Sequence, residues 1–113
     1  MLLVRGSSLI LPRGDTGYIR VLKSQDDKFA VGDKVRFVVR DKASILVNIE
    51  ITEFDENGTA LIYLSKEVTN KLTVGLYYYD LRLIYGNGEI DTEIQKGILQ
   101  VKDVAVSEDE VIQ

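Results

Sequence analysis

The chain has 113 residues, a net charge of −4, a pI of 4.8, and neither cysteine nor histidine. That length suits one domain able to bury a core without staples, and the composition leaves disulfide, thiolate-zinc and histidine acid–base chemistry without their residues. Charges of both signs are mixed along the chain, so no basic footprint for nucleic acid stands out, and no apolar run approaches membrane-spanning length.

The opening Met1 to Arg5 is too short for a signal peptide's apolar core, which fits folding in a reducing cytoplasm. Ser8 to Leu11 is predicted as a short strand ended by Pro12, and at best an edge strand, because proline has no N–H for a ladder. Arg13-Gly14-Asp15-Thr16 is a turn in which Gly14 bends the chain and Asp15 accepts backbone hydrogen bonds. Its first three residues also spell the tripeptide that integrins read, a short motif that matches by chance often. Tyr18 to Lys23 is a strand with Ile19 and Val21 on one face, Tyr18 and Arg20 on the other. A polar loop over Ser24 to Lys28 and a turn at Val31-Gly32-Asp33 follow.

Lys34 to Asp41 alternates as a half-buried antiparallel strand does, with Val35, Phe37 and Val39 inward and Lys34, Arg36 and Arg40 outward. Ile45, Val47, Ile49 and Ile51 share the next inward face. Asp55-Glu56-Asn57-Gly58 reads as a hairpin, since Asn-Gly tolerates the positive φ of a type I′ turn. Thr59 to Leu64 is apolar on both faces, with Leu61 and Tyr63 off the core parity. Ser65 to Lys71 is the helix candidate, capped by Ser65, with Val68 and Leu72 on one side.

Leu72 to Tyr85 is predicted as the central strand. Tyr77, Tyr79, Leu81, Leu83 and Tyr85 recur at period two as its core face. Leu72-x-x-Gly75-x-Tyr77 has the form of a Greek-key corner, where a tyrosine hydroxyl turns back onto upstream backbone. After Gly86-Asn87-Gly88 comes the last strand, Glu89 to Val101. Ile90 and Ile94 have one parity in it, Leu99 and Val101 the other, so a bulge is expected near Lys96-Gly97, with Gly97 taking the unusual backbone angle.

These elements make an all-β, seven-stranded antiparallel sandwich over residues 1–103 with one helical turn near 65–71, a barrel being the alternative. Residues 104–113, with Glu108-Asp109-Glu110, read as an acidic tail or linker. The sequence offers no nucleophile-plus-base set, phosphate loop or metal constellation, so neither catalysis nor a cofactor is expected. The acidic pairs Asp26-Asp27 and Asp55-Glu56 lack calcium-loop spacing and read as solvated charge. The candidate site is a surface. Leu61, Tyr63, Leu76, Tyr78, Arg82 and Ile84 lie off the core parity, and aromatics beside arginine are the usual make-up of an interface. The alternative is that a neighbouring element covers them.

One motif set resembles a known family: Arg13-Gly14-Asp15-Thr16, Gly32-Asp33-x-Val35-x-Phe37-x-Val39, Leu72-x-x-Gly75-x-Tyr77-x-Tyr79-Asp80-Leu81, Gly86-Asn87-Gly88 and Gly97-Ile98-Leu99-x-Val101. Over roughly residues 9–104 it is similar to the immunoglobulin-like domain at the N-terminus of phage upper-baseplate proteins and related prophage virion proteins. The resemblance implies a non-catalytic structural module that attaches to a tail baseplate by protein–protein contact, in the virion or in the host bacterial cytoplasm. Its partners would be other virion proteins or further copies of itself, with no nucleic acid or membrane. One departure is that in such proteins the domain precedes a long host-facing region. The alternative reading is a carbohydrate-binding or adhesin sandwich using Tyr18, Tyr63 or Tyr78 as a stacking platform.

Overall fold

The computed structural model describes residues 2–23 and 28–103. The acidic tail 104–113 and the Asp26-Asp27 pair lie outside the described residues. Among the described residues there are eight strands and one short helix: β1 Leu3–Arg5, β2 Ser8–Pro12, β3 Gly17–Val21, β4 Lys34–Arg40, β5 Ile45–Ile51, β6 Ala60–Leu64, α1 Lys66–Asn70, β7 Gly75–Ile84 and β8 Ile90–Lys102. They form a six-stranded sheet in the order β1-β2-β8-β7-β4-β5 and a two-stranded sheet of β3 and β6. Neither sheet closes into a barrel.

The core lies between the sheets. The larger sheet contributes Val35, Phe37, Val39, Leu83, Leu99 and Val101; the smaller contributes Val21, Ala60, Ile62 and Leu64. On the central β7, Tyr77, Tyr79, Leu81 and Leu83 are buried as their period-two spacing requires, while Tyr85 is half-buried just past the strand. The helix starts where Ser65 accepts a hydrogen bond from the Val68 N–H at 3.3 Å, and Leu72 is buried just beyond its end. Arg13 ties the preceding turn to that end, donating to the carbonyls of Leu72 at 3.1 Å and Asn70 at 3.3 Å.

Several expectations change. β2 is not an edge strand: it pairs with β1 on one side and with β8 on the other. Pro12 is tolerated because β1 reaches only to Ile10, leaving Pro12 beyond that pairing. The β2–β8 pair is parallel, so the sheet is not purely antiparallel. Asp55 to Gly58 is not a type I′ hairpin. Gly58 has φ +71° but Asn57 does not have positive φ, and β5 and β6 belong to different sheets. The Asp55 carboxylate instead holds that turn, accepting from Asn57 N–H at 2.9 Å and Thr59 N–H at 3.0 Å. Ile45 is exposed, because a register shift between Val39 and Arg40 places it opposite outward Arg40.

The β8 bulge is present, but Lys96 takes the positive φ of 57°. The register slips once between Tyr79 and Leu81 and again between Leu81 and Arg82. The second slip puts Ile90 and Ile94 on different faces: Ile94 pairs with Leu81 of the core face and Ile90 with outward Ile84. Gly97 is needed for space. The Tyr79 ring lies over it, and a Cβ there would sit 2.6 Å from Tyr79 Cε1.

Candidate interaction surface

Tyr77 makes the corner that its sequence setting suggests. Its hydroxyl donates to the Thr73 carbonyl at 2.8 Å and lies 3.0 Å from the Thr73 hydroxyl. Gly75 opens β7 two residues earlier, and Gly14 turns the chain after β2 with φ +86°. Asp15 closes that turn through its backbone N–H, bonded to the Pro12 carbonyl at 3.1 Å. Tyr77, Gly75, Gly14, Asp15 and Gly97 thus shape the scaffold.

The six candidate interface residues do not form one patch. Leu61 and Tyr63 lie on β6 of the smaller sheet, whereas Leu76, Tyr78, Arg82 and Ile84 lie on β7 of the larger one. Strand parity identifies which side chains leave the core, but not which sheet holds their strand.

On the smaller sheet Tyr63 stands opposite Tyr18, with ring centroids 4.8 Å apart and planes tilted by 31°. Tyr18 is 61% exposed, Tyr63 45% and Leu61 44%. Arg20 stands opposite Leu61.

The larger face is broader. Leu76 is 68% exposed and Tyr78 39%, while Ile84 is half-buried. Tyr78 stands between Arg40 on β4 and Ile98 on β8. Sequence reasoning did not single out Ile98, although its signal was present: with Leu99 and Val101 inward, Ile98 must face out.

Charges frame this ridge. Arg40 pairs with Asp80 at 3.2 Å, and Asp80 also accepts the Lys96 N–H at 2.8 Å, which pins the bulge. Arg36 reaches Glu50 at 3.2 Å and Lys34 reaches it at 3.3 Å. Hydrogen bonds from Arg36 and then Lys34 hold the Glu50 carboxyl below the usual carboxylate range. Arg82 stands directly opposite Arg36 and has no ion pair among the described residues. A shallow cavity of about 260 Å³ lies among Arg36, Val38, Arg40, Asn48, Asp80 and Arg82.

A separate apolar cleft of about 420 Å³ opens between β3 and the inner side of the larger sheet, over Leu9, Phe37, Tyr79, Leu81 and Ile94. Burial pushes the Tyr79 hydroxyl pKa up, so it is a neutral donor at physiological pH, bonded to the Ser7 carbonyl. Among the described residues, no three histidine, cysteine, aspartate or glutamate side chains converge to hold a metal ion, and no helix is long and apolar enough to cross a membrane. The geometry suits docking of a surface by apolar contact and hydrogen bonding. No protein-family model matches the chain, and no curated protein matches it.

Proposed function

We propose that the chain is a non-catalytic immunoglobulin-like module of a phage or prophage virion, attaching to tail or baseplate proteins through the outer face of its larger sheet. The strand layout supports the fold: β3 and β6 oppose β8, β7, β4 and β5, and the corner tyrosine begins the strand after the helix. Antibody domains place a cysteine two residues after that tyrosine and a tryptophan on another strand of the same sheet. Here Tyr79 and Phe37 take those places, with ring centroids 5.6 Å apart. The motif resemblance supports the virion setting, in the particle or in the host bacterial cytoplasm before assembly.

The observation that carries docking is the ridge of Leu76, Tyr78 and Ile98, exposed on the larger sheet and flanked by Arg40. Aromatic and aliphatic side chains beside arginine are the composition of interface centres. The test is co-purification with tail proteins encoded by neighbouring genes, read by light scattering. A defined complex is expected from the wild type, and its loss from a Leu76→Asp, Tyr78→Asp double variant of unchanged melting temperature. A wild type that binds none of those proteins overturns the reading.

The Tyr18–Tyr63 pair favours a second reading, as a stacking platform for a sugar ring. Glycan-array binding that disappears in Tyr18→Ala and Tyr63→Ala would support it over the first.

A further inference from the structure

The outer face of the larger sheet has a charge opposite to that of the chain. On β4, β5 and β7 this face carries Lys34, Arg36, Arg40 and Arg82 against Glu50 and Asp80, a balance of +2 in a chain of net charge −4, which leaves −6 for all other residues. Moreover, Arg36 and Arg82 are direct cross-strand neighbours, an arrangement of like charges that costs stability. Glu50 relieves Arg36 from the far side, but Arg82's other neighbour is the neutral Thr92. The buried Nε atoms of Arg36 and Arg40 also have no hydrogen-bond partner. This face calls for negative charge from outside the domain.

The matching surface is on the same molecule. The tip and upper edge of the β7–β8 hairpin carry Glu89, Asp91 and Glu93, all exposed and with no ion pair among the described residues. Lys23, which lies over the Tyr85 ring, is paired with Asp33 at 3.1 Å. Asp91 accepts a long hydrogen bond from the Tyr85 hydroxyl at 3.5 Å, and burial first, then the charges of Asp91 and Glu93, raises the Tyr85 pKa. Within one molecule they are badly placed for Arg82. Asp91 stands opposite Leu83 on the core-face parity, so the sheet lies between it and the outward-facing arginine. Within one copy Arg82, Glu89, Asp91 and Glu93 have no ion pair among the described residues, and a second copy can supply one.

We propose that a second copy of the chain docks on this face, its acidic β7–β8 hairpin seated against Arg36 and Arg82. Ile90, 61% exposed beside Ile84, supplies apolar contact at the join. Because the two patches differ, each copy offers one and receives the other, reciprocally in a two-fold dimer or head-to-tail in a ring or filament. This inference rests on the reading of the larger sheet's outer face as the docking surface, and it names the partner.

The test is sedimentation velocity over a wide concentration series at low and high salt, using the full chain. The wild type should associate at low salt and dissociate at high salt as the charges are screened. A face variant, Arg36→Glu with Arg82→Glu, and an edge variant, Glu89→Lys with Asp91→Lys and Glu93→Lys, should each lose association when alone. Mixed in equal amounts they should associate again. Circular dichroism checks folding, and Arg82→Gln, which should weaken association, replaces the face variant if that one unfolds. A monomeric wild type at every concentration, or association that survives both reversals, overturns the inference. A monomer that still binds a tail protein through Leu76 and Tyr78 overturns self-docking alone, whereas loss of both overturns the docking face as well.

Discussion

Gly97→Ala tests the tightest packing in the larger sheet. Gly97 is buried and its φ is not positive, so alanine meets no backbone penalty and the whole effect is steric. The new methyl carbon would lie 2.6 Å from Tyr79 Cε1, 2.7 Å from Tyr79 Cζ and 2.8 Å from Ile94 Cγ2. The ring cannot withdraw freely, because its hydroxyl is bonded to the Ser7 carbonyl and its other side meets Phe37. Overpacking of this kind costs about 1–3 kcal/mol. For a domain near this size, each kcal/mol lowers the melting temperature by roughly 4–8 °C. Thermal and urea unfolding of the wild type, Gly97→Ala, Tyr79→Leu and the double variant would form a cycle. The cost of alanine should shrink once the ring is gone, leaving the Ile94 methyl as the remaining close contact, since contacting residues are not additive. If Gly97→Ala is as stable as the wild type, the ring is not pinned and the reasoning fails.

Other predictions follow from single contacts. Tyr77→Phe removes the hydroxyl that donates to the Thr73 carbonyl and should cost about 1 kcal/mol in urea unfolding, with the fold intact by circular dichroism. Ser65→Ala removes the helix cap and should also cost about 1 kcal/mol, read in the same way. Asp33 links the turn before β4 to the β7–β8 hairpin, accepting from Ala30 N–H at 3.0 Å and Gly86 N–H at 2.9 Å. The Ala30 bond is the largest cause holding its pKa low, burial opposes it, and the Gly86 bond and Lys23 add to the lowering. A lowered folded pKa gives stability that is fully present above the unfolded value of about 3.9 and lost as the pH falls through the lower folded value. Asp33→Asn should therefore destabilise more at pH 7 than below that range, and an equal cost at both ends would contradict the assignment.

The sequence is most legible where one face is buried and the other wet. Val35, Phe37 and Val39 on β4, and Tyr77 to Leu83 on β7, alternate because each strand has a core side and a solvent side, and the period survives into the fold. The corner was legible too, because a tyrosine opening a strand has one nearby place to send its hydroxyl. What failed is non-local. Ile45 and Ile90 changed faces because of register slips, and a slip is a property of two strands, not one. The sequence suggests Gly97 for an unusual backbone angle at the bulge, yet Lys96 takes that angle and the reason for Gly97 is a ring from the neighbouring strand. For the candidate surface, parity identifies side chains off the core face, of which Ile84 is half-buried, but assigns them no place. β6 pairs with β3 and β7 with β4 and β8, a partition that local alternation does not encode.

The parallel pairing of β2 with β8 has a mechanical consequence. The two strands belong to opposite ends of the chain, with Leu9 beside Leu99 and Pro12 beside Lys102. Tension applied between the ends pulls these strands past each other along their length, so their hydrogen bonds are loaded together and not one after another. β1, antiparallel to β2, forms a hairpin outside this clamp and would peel away first. The domain should therefore yield a short initial extension and then resist, as a link in a force-bearing chain must.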